Sequence, residues 1–183
     1  MQTGFKVSNK PPAQDNAAGN EMPDAALPQA VKIEYLADRP EFVSTLATWH
    51  RREWGYLRPD ETLEIRTARI RERAGRRQVP TVLVASDGDI LLGAAMLVKH
   101  DMESRLRLFP WLAGVVVAPE HRRRGIGASL VERAVSEARA LGFPMLYLYT
   151  FGDGRYYTRL GWRFIERSTY LGGNVAIMSF ALQ

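Results

Sequence analysis

The stretch from Trp111 to Gly142 constrains the fold more than any other part of the chain. It opens on a short apolar run, Trp111 to Ala118, whose consecutive valines Val115, Val116 and Val117 suit a strand buried on both faces. A basic loop follows, Glu120-His121-Arg122-Arg123-Arg124, and Gly125-Ile126-Gly127-Ala128 leads into a long amphipathic segment. Ile126, Leu130, Val131, Ala134, Val135, Ala138 and Leu141 share one face at helical spacing, with Arg139 in the last turn and Gly142 beyond it. A buried strand that passes through a tight loop into a helix implies a sheet with helices laid against it.

The same unit builds an anion site. Free main-chain N–H groups at a helix start point outward, the helix dipole adds partial positive charge, and glycines let a ligand approach the backbone. A pyrophosphate fits that description. No Gly-Lys-Ser/Thr follows, so this is not a Walker A loop, and the third glycine of the dinucleotide fingerprint is missing.

The flanking segments complete an α/β pattern with a mixed sheet of six or seven strands and about four helices. Val31, Ile33 and Tyr35 alternate with Lys32 and Glu34 as in a half-buried strand. Glu41 to Trp54 and Asp60 to Ala74 carry apolar residues at near-helical spacing. Thr81 to Ala85 and Ile90 to Val98 flank Asp87-Gly88, a hairpin signal. Pro144 to Thr150 reads as a strand, Gly154 to Leu160 as a short helix, and the remainder as two strands around Gly172-Gly173. Residues 1–30 show no burial period and are expected to form a flexible tail, with one domain over 31–183.

The form Arg122-x-x-Gly125-x-Gly127 resembles the arginine-or-glutamine, two spacers, glycine, spacer, glycine-or-alanine motif of the GNAT superfamily of acyl-CoA N-acyltransferases. Tyr156-Tyr157-Thr158-Arg159-Leu160-Gly161-Trp162 is similar to a later motif of that family, and the resemblance spans roughly residues 31–183. It implies a GNAT-like fold with a central splay between the fourth and fifth strands, and acetyl-CoA as cosubstrate without a metal. Val115, Val116, Val117, Arg122, Arg123, Arg124, Gly125, Ile126, Gly127 and Ala128 are then expected to hold the cofactor, and Tyr157 matches the family's proton donor. Where the family often has an asparagine after the fifth strand, this chain has Thr150-Phe151-Gly152-Asp153.

The chain contains no cysteine, which closes the commonest covalent acyl-enzyme route and favours direct attack by a bound amine. Such attack needs a carboxylate, a histidine or a water path to solvent to take the ammonium proton. Asp101 is the first candidate and Glu103 the second, both in the polar segment with His100 ahead of the fourth strand; Glu34 and Glu53 rank lower. Trp49, Trp54 and Trp111 are candidates for an acceptor pocket, although aromatics at helical spacing usually serve the core.

The formal charge is +5, and Arg66 to Arg77 alone holds six arginines against Glu72. A charge run of this kind usually forms a solvated helix face, and its functional counterpart is attraction of acidic acceptors. Without interleaved aromatics or a recognised module, nucleic acid is not an expected partner. No apolar run reaches membrane-spanning length, so a cytoplasmic protein with no membrane contact is expected. The expected activity is N-acetyl transfer to a small-molecule or peptide amine. A non-catalytic acyl-CoA-binding module is the alternative, and a homodimer is left open.

Overall fold

The computed structural model describes residues 31–183, so the expected tail over 1–30 lies outside the described residues. Seven strands form one mixed sheet: β1 (Val31–Tyr35), β2 (Thr81–Asp87), β3 (Ile90–Val98), β4 (Trp111–Val117), β5 (Met145–Phe151), β6 (Arg163–Tyr170) and β7 (Gly173–Ala181). Their order is β1-β2-β3-β4-β5-β7-β6. The helices are α1 (Val43–Trp54), α2 (Leu63–Glu72), α3 (Ile126–Ala140) and the short α4 (Arg155–Arg159). Only β4 and β5 are parallel neighbours, because α3 carries the chain back to the starting edge between them.

Strand alternation divides the core into two layers. Val82 and Val84 of β2, Met96 of β3, Trp111 of β4 and Ile177 of β7 pack with Leu46 of α1 and Ile70 of α2. Leu83, Leu97, Leu112, Leu146 and Leu148 face the other way, onto Leu130, Ala134 and Ala138 of α3. Trp111 is fully buried, and Trp49 and Trp54 pack against the first layer, so all three serve the core. Among the described residues no helix is long and apolar enough to cross a membrane.

Both hairpin turns sit one residue away from where their glycines pointed. Asp87 pairs with Ile90, which leaves Gly88-Asp89 as the turn. Tyr170 pairs with Gly173, so the second turn is Leu171-Gly172, both at positive φ (48° and 77°), as a type I′ turn requires. Gly173 belongs to the strand for a packing reason: a Cβ there would lie 2.6 Å from the ring of Phe151.

The arginine run forms a solvated face only in part: Arg71, Arg76 and Arg77 are exposed, whereas Arg66, Arg69 and Arg73 are turned inward to different degrees. Arg66 is buried and pairs with the buried carboxylate of Glu61, which also pairs with Arg69. Arg66 donates to the main-chain oxygen of His50, and Arg51 to that of Glu61, tying α1 to the segment leading into α2. Thr62 caps α2 by accepting from the Ile65 N–H at 3.3 Å. Arg76 is taken up by Asp38.

Candidate active site

The two parallel strands separate almost as soon as they meet. Trp111 and Tyr147 are their only paired residues, with the Tyr147 N–H donating to the Pro110 oxygen at 3.0 Å. On its other side β4 pairs with β3, and there Met96 opposes Ala113 while Ala94 opposes Val116. Two steps on β3 match three on β4, so β4 carries one extra residue at Gly114-Val115. Gly114 sits at φ 58°, and a Cβ on it would meet His50 Cε1 at 2.8 Å. The buried His50 imidazole stands edge-on to Trp54 at 4.8 Å, and its Nε2 has no hydrogen-bond partner among the described residues. Burial, with the charges of Arg66 and Arg73, pushes its pKa down to about 3, so the ring is neutral at physiological pH.

The bulge reverses which residues face which layer. Ala113 and Val116 both point to the α1/α2 side, whereas Val115 and Val117 pack on the α3 side. Hydrogen-bonding direction also alternates. The Ala118 N–H donates to the Leu92 oxygen of the β3 edge at 2.9 Å, so the main-chain groups of Val117 point to the opposite edge, into the gap left by β5.

At the end of that gap lies the start of α3. Arg123 and Gly125 adopt positive φ (60° and 77°), and the Ser129 N–H is the first to find an acceptor, the Gly125 oxygen at 3.0 Å. The N–H groups of Arg123, Arg124, Gly125, Ile126, Gly127 and Ala128 have no acceptor among the described residues. A row of free N–H groups at a helix start is main-chain geometry that can cradle an anion. Arg123 and Arg124 are exposed and carry no ion pair there. Arg122 folds back, donating from Nε to the Val117 oxygen at 3.1 Å, with Glu53 of α1 at 3.9 Å. The Ile126 side chain is buried in the α3 layer, so only its main chain is available to a ligand.

Opposite the cradle, α4 presents two tyrosines whose rings meet edge-on at 5.0 Å. A Cβ on Gly127 would lie 2.9 Å from the Tyr156 hydroxyl, so the second glycine of the motif is needed against α4 as well as for ligand approach. Burial pushes the Tyr156 hydroxyl up to about 12. Tyr157 leans on Trp162 at 6.0 Å, and its hydroxyl has no hydrogen-bond partner among the described residues. Burial first, and the neighbouring Tyr156 second, hold it well above the ordinary phenol range.

On the α1/α2 side the topology gathers a second group. Tyr149 of β5 stacks edge-on with Tyr170 of β6 at 5.3 Å and with Trp111 of β4 at 6.3 Å. Tyr170 donates to the main-chain oxygen of Asp101, in the β3–β4 loop, at 3.4 Å. Desolvation pushes the Asp101 carboxyl up to about 6, against the lowering influence of Arg73 and Arg58. Its charge in turn raises Tyr149, whose main cause of elevation is burial. The remaining acids lie elsewhere. Glu103 is exposed, Glu34 is held by Arg39 and Ser86 near the β1 edge, and Glu53 faces Arg122.

The sequence missed Gly114, His50, Tyr149 and Tyr170, and it offered Arg73 only as one of the six arginines of the Arg66–Arg77 run. Gly114 had a signal, since an isolated glycine in a strand marks a bulge; the others lie on separate elements with no shared local pattern.

The mixed sheet is thus splayed at its centre, with a row of free main-chain N–H groups at one end of the gap. The model of the Acetyltransferase (GNAT) family matches residues 43–162, and the chain belongs to that family. No curated protein matches. Among solved structures, the yncA protein of Salmonella typhimurium, solved with its cofactor acetyl-CoA, is 19% identical with a TM-score of 0.64, covering 85% of this chain and 95% of that one. An aminoglycoside 6'-N-acetyltransferase complexed with coenzyme A is 17% identical at TM-score 0.66, covering 83% and 97%. An N-acetyltransferase from Staphylococcus aureus Mu50 is 16% identical at 0.63, covering 84% and 99%. At these identities the likeness shows the fold.

Proposed function

We propose that the chain is an N-acetyltransferase that passes the acetyl group of acetyl-CoA directly to a primary amine in a ternary complex. The observation that carries this reading is the row of unsatisfied N–H groups from Arg123 to Ala128 at the mouth of the β4/β5 gap. Those groups fit a pyrophosphate, with Arg123 and Arg124 adding charge, and the edges of Val115 and Val117 fit an amide-bearing arm. The donor supplies a thioester. The amine nitrogen gives its lone pair to the acetyl carbon, and the carbon–sulfur bond breaks with its electron pair left on sulfur. Asp101 takes one proton from the incoming ammonium, and the second leaves to solvent after attack. The Val117 N–H faces the gap where the transient oxyanion forms.

Tyr157 serves the departing sulfur. Its raised pKa keeps the phenol protonated at neutral pH, so it is a standing hydrogen-bond donor to the thiolate. The chain is taken to act as a cytoplasmic enzyme on a small-molecule or peptide amine, through residues 31–183. Tyr157→Phe keeps the ring packed on Trp162 and lowers kcat by roughly 10²-fold, within the range for general acid catalysis, with little change in acetyl-CoA affinity. Tyr156→Phe, beside the cradle, is much milder in kcat. Steady-state CoA release measured for both variants checks this; equal losses would point to packing, and full activity in Tyr157→Phe would remove the phenol from the mechanism.

A further inference from the structure

The region between α2, the β3–β4 loop and β5 holds charges that the fold leaves unpaired. Arg66 and Arg69 are consumed by Glu61, and Arg76 by Asp38. Arg73, half-buried just past the end of α2, makes no side-chain hydrogen bond or ion pair among the described residues. Burial lowers its pKa, and the charge of Asp101, which makes no ion pair with it, offsets that desolvation only in part. Arg58, from the segment between α1 and α2, is exposed and also unpaired there, and both guanidiniums influence the Asp101 carboxyl without reaching it. Tyr170, donating to the Asp101 main-chain oxygen at 3.4 Å, and Tyr149, stacked on Tyr170 at 5.3 Å, stand beside the same group.

We infer that the acceptor amine carries a carboxylate a few bonds away, as an α-amino acid does, with Arg73 and Arg58 receiving the carboxylate and Asp101 the amino end. The inference rests on the acetyl-transfer reading above. A carboxylate and two guanidiniums held apart in a partly desolvated space are complementary to a zwitterion of opposite polarity. Guanidinium donors match a carboxylate two bonds at a time, and an acceptor without one leaves Arg73 desolvated and unpaired. Tyr149 links this group to the reaction gap, since its ring meets Trp111 where β4 and β5 part.

The test is steady-state CoA release from acetyl-CoA by the full chain, with a panel of α-amino acids each set beside its decarboxylated amine. The expected result is a preference of roughly 10- to 100-fold in kcat/KM for the amino-acid member of the preferred pair, the range for hydrogen bonds to a charged group. Arg73→Gln then lowers kcat/KM for the amino acid mainly through KM, and lowers it far less for its decarboxylated partner; Arg73→Lys recovers part of the loss. Should Arg73→Gln melt early, the exposed Arg58→Gln provides the same comparison in a folded chain. Equal rates within every pair, or transfer confined to carboxylate-free amines such as a polyamine or an aminoglycoside, would overturn the inference and leave acetyl transfer standing. Failure of every amine in a chain that binds acetyl-CoA would overturn both.

Discussion

Asp101→Asn lowers kcat/KM at neutral pH by roughly 10²- to 10⁴-fold, the range for loss of a general base. The substitution keeps the size of the side chain and removes its ability to take a proton. The wild-type pH profile carries the second half of the argument. With the carboxyl at about 6, kcat/KM rises with pH as Asp101 ionises and levels off above that value, because only the carboxylate accepts the ammonium proton. Burial pushes that midpoint up, Arg73 and Arg58 pull it down, and Tyr149 and Tyr56, both raised chiefly by burial, stay neutral throughout this range. In Asp101→Asn the acid limb disappears. A variant with normal rate and an unchanged limb would return Asp101 to the role of a loop residue and move the base to a water path.

Glu61→Gln lowers the unfolding free energy by about 3–5 kcal/mol, the cost of breaking a buried ion pair by removing one partner. Glu61 is buried between Arg66 and Arg69, and its loss leaves the buried Arg66 guanidinium without a counter-charge. The effect reaches the site, because Arg66 also holds the His50 main chain, and His50 backs the Gly114 bulge that opens the gap. Urea unfolding of Glu61→Gln and of Glu61→Gln/Arg66→Met checks it. The double variant recovers much of the loss, since it removes the stranded charge as well as its partner. Near-wild-type stability in Glu61→Gln would mean that solvent already screens the pair.

The proposed donor half of the site has a local sequence pattern and the proposed acceptor half has none, for a physical reason. An anion cradle is local: Arg122, Gly125 and Gly127 act through consecutive backbone groups, so their spacing is their geometry. The acceptor side is assembled by sheet order, which brings Asp101, Tyr149, Tyr170 and Arg73 together from four separate elements. Asp101 is a candidate from sequence only through its place between the third and fourth strands, where the resembled fold opens toward the acceptor. The solvated-face expectation holds for Arg71, Arg76 and Arg77 and fails for Arg66, because charge density says nothing about burial and the acid that pairs with Arg66 lies outside the run, at Glu61. The second hairpin register slipped by one because Gly173 answers to Phe151 across the sheet, which leaves Leu171 to take the positive φ.

The central claim is that the cradle at the start of α3 binds acetyl-CoA, and calorimetric titration of acetyl-CoA into the wild-type and Gly125→Val chains tests it most directly. Gly125 holds φ 77° at the mouth of the gap, a conformation that valine resists, so the variant turns the free N–H groups away from the pyrophosphate. Saturable binding to the wild type, weakened at least about tenfold in a variant that still melts cooperatively, is the predicted result, a loss comparable to one or two charge-assisted hydrogen bonds. No binding to the wild type, or equal affinity in the folded variant, would contradict it.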